Sequence, residues 1–309
     1  MSLLSLIQPT GKNGLGYSST AEQVTQGISL EGKTFLLTGC SSGLGHETMR
    51  VLTLRGARVL GAARSIEKAR DACATVKGQT VPVSCELSDP ASVRQCVKVV
   101  SELLTAEGTK LDGIICNAGI MALPKLQQAH GFELQFFTNH VGHFILVTGL
   151  LDSLADQGRV VMLSSGAHMM APKGGIQFDN LSGEKSYRSW TAYGQSKFAN
   201  LLFAKELHHR FQGTQKTAYA VHPGVIQTNL GRHMPSIQRL VFGWAGPVFL
   251  KSVQQGAATQ TYVATSAEAL SQSGQYFANS NLAKCRSDAD QRELAQRLWT
   301  VSEEIVSKI

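Results

Sequence analysis

The chain has no uninterrupted apolar run of about 18 residues, which excludes a membrane-spanning helix on length grounds. It has no Cys-x-x-Cys pair, and its cysteines, at 40, 73, 85, 96, 116 and 285, show no zinc-like spacing with histidines. His140, His143 and His168 form no partnered ligand set either, so packing or surface roles are expected and no metal site. Reduced thiols fit a cytoplasmic location. Basic residues are scattered rather than clustered with aromatics, so nucleic acid is not an expected partner. Met1–Gln8 is mildly apolar but lacks a basic leader and a small-residue cleavage site, so no secretory signal is expected. There are no internal repeats and no linker that would split the chain in two. What is present is 309 residues with 43% hydrophobic content and 30 glycines, enough for one compact domain with a large core. The net charge of +7 would suit a phosphorylated anionic cofactor, though charge alone does not show one.

From Lys33 onward, strand-like and helix-like segments alternate. Strands are expected at Thr34–Thr38, Arg58–Ala63, Val81–Cys85, Gly113–Cys116, Arg159–Ser164 and Thr217–Val221. Helices are expected at Leu44–Arg55, Ile66–Val76, Ala91–Thr105, Gly131–Leu150, Trp190–Phe211, Gly256–Ser266 and Asp290–Ser307. This order implies right-handed crossovers and an α/β, doubly wound parallel sheet with helices on both faces, in a single domain. Residues 1–30 read as a polar N-terminal extension, in which Ser19-Thr20-Ala21-Glu22 suggests a capping box and a short helix over Ala21–Gln26. Two insertions, Gly166–Ala192 and Thr228–Ser252, fall at the carboxyl ends of strands, where ligands bind in such sheets. The second contains the apolar run LVFGWAGPVFL. It reads as a substrate lid around 228–252, with an interface between copies or a peripheral membrane patch as alternatives.

Tyr193 and Lys197 lie four residues apart in a helical run, so they share one face. A free phenol ionises near pH ~10. A neighbouring ammonium favours the phenolate and is expected to lower that value. Such a phenol can protonate a carbonyl or deprotonate an alcohol. Taken alone, the spacing also fits an ordinary helix surface.

Upstream, Gly39, Ser41, Ser42, Gly43, Leu44 and Gly45 form a glycine-rich loop between a strand and a helix. Glycines there allow a tight turn and close approach to a pyrophosphate, and the helix N-terminus offers N–H groups to it. A purely structural turn is the alternative. The next strand ends Gly61-Ala62-Ala63-Arg64 with no acid at its tip. Arg64 suits the extra 2′-phosphate of NADP, so NADP(H) is expected over NAD(H), unless Arg64 is simply a solvated surface residue.

The glycine loop, Asn117-Ala118-Gly119, Asn139, Ser165, Tyr193-x-x-x-Lys197 and His222-Pro223-Gly224 occur in order. Together they resemble the short-chain dehydrogenase/reductase family, over roughly residues 30–280. Thr138-Asn139-His140-Val141-Gly142-His143-Phe144 and Ala220-Val221-His222-Pro223-Gly224 are similar to its retinol-dehydrogenase-like branch, which includes the oxidoreductase part of WW-domain oxidoreductases. The chain departs from the family pattern at Glu86, where an aspartate is common, and at Cys116, where an asparagine is more frequent.

The resemblance implies a Rossmann-type fold over residues 31–309 and an NAD(P)-dependent enzyme acting on an alcohol, aldehyde or ketone. It implies Tyr193 as general acid and base, with Lys197 tuning it and holding the nicotinamide ribose. It implies Ser165 on the substrate oxygen, although strand alternation turns only one of Ser164 and Ser165 to the site. Asn139 is expected to bind a water that relays protons to Lys197, unless its amide simply bonds backbone. Cofactor contacts are expected from Glu86, Leu87, Asn117, Ala118, Gly119, Pro223, Gly224 and Thr228. The apolar insertion suggests a hydrophobic substrate, and a homo-oligomer is compatible with the pattern. A cofactor-sensing interaction protein with little turnover is the competing reading.

Overall fold

The structure, a computed structural model, describes residues 10–226 and 250–309. The central sheet contains β1 (Thr34–Thr38), β2 (Arg58–Ala63), β3 (Gln79–Ser84), β4 (Leu111–Cys116), β7 (Leu154–Leu163), β8 (Thr217–His222), β9 (Tyr276–Ala278) and β10 (Asn281–Leu282). β5 (Gln128–Ala129) and β6 (Phe132–Glu133) make a separate small hairpin. The sheet order is β10-β9-β8-β7-β4-β1-β2-β3, parallel throughout except for β10, which runs antiparallel to β9.

Sequence alternation assigns the two faces. Leu36, Ile114, Val160, Met162, Ala218 and Ala220 point to one core, while Phe35, Leu37, Ile115, Val161, Tyr219 and Val221 point to the other. Helices α1 (Ala21–Val24), α2 (Gly43–Leu54), α3 (Ile66–Ala74) and α8 (Val253–Thr265) cover the second core. Helices α4 (Pro90–Glu107), α5 (Leu134–Phe136), α6 (Gly142–Gly149), α7 (Ser189–Arg210) and α9 (Arg292–Ser307) cover the first. Because both faces are covered, TFLLT is buried at all five positions, as expected of a central parallel strand. The doubly wound α/β fold is therefore present.

The expected long helix over Gly131–Leu150 does not form as one piece. Its start is the β5–β6 hairpin, turned by His130 (φ 52) and Gly131 (φ 82), a pair of left-handed residues that suits a two-residue loop. The Glu133 carboxylate then caps α5 by accepting from Phe136 N at 2.8 Å. A π-helical turn, Phe137–Val141, follows before α6 begins. β9 and β10, absent from the sequence reading, are joined by Asn279 (φ 54) and Ser280 (φ 59). With three and two residues, they are too short to show a period.

Residues 10–30 lie against the domain. The capping box is formed by Thr20 and Gln23 rather than by Ser19 and Glu22, and α1 stops at Val24. Tyr17, Ala21, Val24 and Leu30 are buried. Asn13 Nδ2 donates to Ser280 O (3.0 Å), and Asn281 Nδ2 donates to Leu15 O (3.0 Å). Thr228 and nearly all of the expected lid lie outside the described residues.

Candidate active site

The sheet reverses its winding between β1 and β4, and a crevice forms at that point over the carboxyl ends of the strands. Asn117, just past β4, ties the two strands together by donating from Nδ2 to Thr38 O at 2.9 Å. Its Oδ1 accepts from Gln260 Nε2 at 3.2 Å, and the Ala118 amide donates to Thr38 Oγ1 at 3.0 Å. The glycine loop sits on this platform. A Cβ on Gly45 would lie 2.1 Å from Gly39 O and 2.6 Å from Asn117 Nδ2, so only glycine lets the loop close. Ser42 makes no side-chain cap bond, the first turn of α2 carries no acid, and Ser41 and Ser42 are exposed. The positive end of α2 is thus presented outward, which suits the pyrophosphate of a dinucleotide.

Two strands along from β1, Ser165 follows β7 and α7 brings Tyr193 and Lys197 over the same edge. Tyr193 is 7% exposed and Lys197 5%, so neither belongs to an ordinary helix surface. Lys197 Nζ donates to Leu163 O at 3.0 Å and stands 5.7 Å from the Tyr193 ring centroid. Ser164 and Ser165 are distinguished by direction. Ser164 Oγ is buried and donates to Lys197 O at 2.7 Å, fixing α7 to the strand. The Ser165 side chain interacts with the Tyr193 phenol and accepts from Ala167 N at 3.1 Å.

Asn139 lies in the π turn, fully buried. Its Oδ1 accepts from Ile120 N (2.8 Å), and its Nδ2 donates to Ile120 O (2.9 Å) and Ser196 Oγ (2.9 Å). Ser196 Oγ in turn donates to Tyr193 O at 2.8 Å. The amide therefore bonds protein groups with both ends, and the Asn139 backbone carbonyl accepts from His143 Nδ1 at 2.9 Å. Gly119 admits this arrangement, since a Cβ there would be 2.9 Å from Asn139 Oδ1 and 3.4 Å from Lys197 Nζ.

The electrostatics differ from the expectation in one respect. Burial pushes the Tyr193 phenol up, to about 12, and the bond to Ser165 pulls it only part of the way back. Burial also pushes the Lys197 ammonium down, to about 8. The expected lowering of Tyr193 by Lys197 is absent here, because removal from water outweighs a cation 5.7 Å from the ring.

Of the other expected residues, Arg64 is exposed past the end of β2 with no bonded partner among the described residues. The Glu86 carboxylate is tied to the Ser88 amide (3.1 Å) and hydroxyl (2.9 Å). Leu87 is buried against Gly142. Pro223 and Gly224 (φ +96) turn the chain just past β8. Thr38, His143 and Gln260 also brace the crevice; packing or a surface role was expected of His143, Thr38 was expected only to end its strand, and no expectation fell on Gln260. His143 Nε2 meets Thr38 Oγ1 (2.9 Å) and its Nδ1 meets Asn139 O (2.9 Å). The pairings of Thr38 with His143 and of Gln260 with Asn117 join residues far apart in the chain, so no local motif marks them, whereas His143 and Asn139 are one helical turn apart.

A short chain dehydrogenase family model matches residues 33–238. Retinol dehydrogenase 12 of Mus musculus is 40% identical over 91% of this chain and 89% of its own. Short-chain dehydrogenase TIC 32 A, chloroplastic, of Brassica napus is 38% identical over 97% and 96%. An uncharacterized protein of Mycobacterium paratuberculosis superposes with TM-score 0.75 at 32% identity, covering 92% of this chain and 97% of that one. A short chain dehydrogenase of Burkholderia cenocepacia in complex with NADP shares the fold, with TM-score 0.64, 22% identity, and coverage of 80% and 96%. With that likeness and the crevice just described, the chain belongs to the short-chain dehydrogenase/reductase family, and is a nicotinamide-dependent oxidoreductase of retinol-dehydrogenase-like type.

Proposed function

We propose that the protein is an NADP(H)-dependent oxidoreductase acting on the C–O group of an apolar alcohol, aldehyde or ketone. The observation that carries this reading is the convergence of Ser165, Tyr193 and Lys197 on the sheet edge that also bears the glycine loop. When bound, the nicotinamide supplies or takes the hydride. The chain's residues do the rest. Tyr193 gives its phenolic proton to the carbonyl oxygen in reduction and receives it in oxidation. The Ser165 hydroxyl holds that oxygen. Lys197 remains largely an ammonium at pH 7 and binds the ribose hydroxyls. Asn139 positions Tyr193 through Ser196, and a water relay at its backbone carbonyl would share that oxygen with His143 Nδ1. Gly39, Ser41, Ser42, Gly43, Leu44 and Gly45 take the pyrophosphate, and Arg64 takes the 2′-phosphate. Glu86, Leu87, Asn117, Ala118, Gly119, Pro223 and Gly224 line the dinucleotide, with Glu86 serving through its backbone because its carboxylate is engaged.

The substrate class follows from the rim. Met169 and Met170, beyond Ser165, and Val225, beyond Gly224, are 60%, 45% and 55% exposed, an apolar margin suited to a hydrophobic ligand. All six cysteines are free and five are buried, which supports placement in a reducing compartment such as the cytoplasm. The test is NADPH oxidation with a panel of apolar aldehydes and ketones, retinal included. Turnover that is faster with NADPH than with NADH is expected. Tight NADPH binding with no turnover of any member would instead favour a cofactor sensor.

A further inference from the structure

Lys251 stands apart from every group used above. It is 2% exposed, and its Nζ has no hydrogen-bond partner among the described residues. Its amine lies 4.8 Å above the Tyr17 ring, which offsets part of the desolvation of a cation but supplies no counter-charge. The chain holds no carboxylate to complete it. No described carboxylate pairs with it, and residues 1–9 and 227–249 contain neither Asp nor Glu. A buried, unpaired ammonium is costly unless something else satisfies it.

Its place in the fold indicates what that is. The Lys251 amide donates to Val225 O at 2.9 Å, and Lys251 pairs with Ile226. Its side chain runs along the Gly224 turn, where a Cβ would come within 2.7 Å of Lys251 Cδ. Ile226 and Leu44, the latter in the first turn of α2, both close over Gly256, where a Cβ would lie 2.4 Å from Ile226 Cδ1 and 2.7 Å from Leu44 Cδ2. On the other flank, His222 accepts from the Gly166 amide, next to Ser165, at 3.0 Å. His222 is half-buried beside Lys251 and His168, and desolvation holds it down to about 4, so it adds no charge of either sign at neutral pH. The lysine thus borders the stretch between the phosphate end and the substrate-oxygen end of the crevice.

We propose that Lys251 is a second anion-binding group of this site, whose ammonium takes an anionic oxygen carried in by a ligand. The source is either a phosphate of the dinucleotide or an acidic head group on the substrate. The proposal rests on the function proposed above.

The test uses the full chain, Lys251→Met and Lys251→Arg. NADPH affinity is measured by fluorescence titration at low and high salt. The values of kcat/KM are compared for 4-carboxybenzaldehyde and its uncharged methyl ester, and the Tm of each protein is taken without ligand. Loss of one charge-assisted contact predicts a drop of about tenfold or more. Weaker NADPH binding in Lys251→Met, with a shallower salt dependence and recovery in Lys251→Arg, identifies the phosphate. Unchanged NADPH binding with a loss confined to the acid identifies the substrate head group. In either case the ligand-free Tm of Lys251→Met should not fall, because a lone buried charge has been removed. The proposal is overturned if Lys251→Met keeps both NADPH affinity and the acid-to-ester ratio within about twofold, whatever its Tm. A wild-type protein that binds no dinucleotide would sink the underlying function first, and this proposal with it.

Discussion

Tyr193→Phe separates chemistry from folding. The substitution removes one hydroxyl from a side chain that is 7% exposed and leaves the ring packed edge-on to Trp190 at 6.1 Å. Ser165 Oγ loses a neighbour but still accepts from the Ala167 amide, so no buried polar atom is orphaned. The stability cost should therefore be that of one net hydrogen bond, about 1 kcal/mol, or a Tm shift of roughly 2–4 °C. The glycine loop and the Asn117 platform are untouched, so the NADPH dissociation constant should change by no more than about threefold. Turnover should fall far more. Positioned proton transfer contributes about 10²–10⁴-fold, equivalent to roughly 3–5 kcal/mol of barrier. With the phenol held at about 12, its acid form is saturated from pH 6 to 9, so wild-type reduction should be nearly flat below pH 7 and should fall only as the Lys197 ammonium, held at about 8, loses its proton. Oxidation should rise with pH as the phenolate fraction grows. Stopped-flow NADPH oxidation, fluorescence titration and thermal melts give the three quantities. If Tyr193→Phe retains more than about a tenth of wild-type turnover, or if NADPH binding collapses along with it, the assigned proton path is wrong.

Arg64→Leu should leave ligand-free stability within about 0.5 kcal/mol and cut the NADPH-over-NADH preference about 10- to 100-fold; an unchanged ratio in steady-state kinetics would clear Arg64 of that role. Gly45→Ala places a methyl against Gly39 O and should cost roughly 1–3 kcal/mol in a denaturant melt while weakening NADPH more than about tenfold. Stability should also fall on acidification. His140 and His143 are buried bases held down to about 3 and about 4 in the folded chain, so the unfolded state binds more protons below its ordinary value near 6.5. Their contribution is present above that value and is lost as pH falls, by roughly 2 kcal/mol each at pH 5. Urea melts at pH 7 and pH 5 measure the loss, and His143→Gln should shrink it.

The fold was legible where the signal is local. TFLLT followed by a glycine loop and a helix places β1, the turn and α2 in one stretch, and the four-residue step puts Tyr193 and Lys197 on one helical face. The direction of Ser164 and Ser165 was not legible, because both are hydroxyls at a strand end and only the Lys197 carbonyl separates them. The Tyr193 shift was misjudged because the sequence displays the cation but not the burial. The Gly131–Leu150 segment misled because HGFELQFF is as apolar as a helix face, while His130 and Gly131 set a hairpin turn that only backbone angles reveal. Gln260, Thr38 and His143 meet across long chain separations, and no periodicity encodes such meetings.

The bond from Asn13 to Ser280 spans 267 residues, and α1 packs on α8, so residues 10–30 have their seat on elements that come much later in the chain. On a ribosome adding about 5–20 residues per second, Ala21 and Val24 emerge roughly 12 to 50 s before the helix that covers them. During that interval Ala21 and Val24 lack the α8 surface that shields them from water in the folded chain.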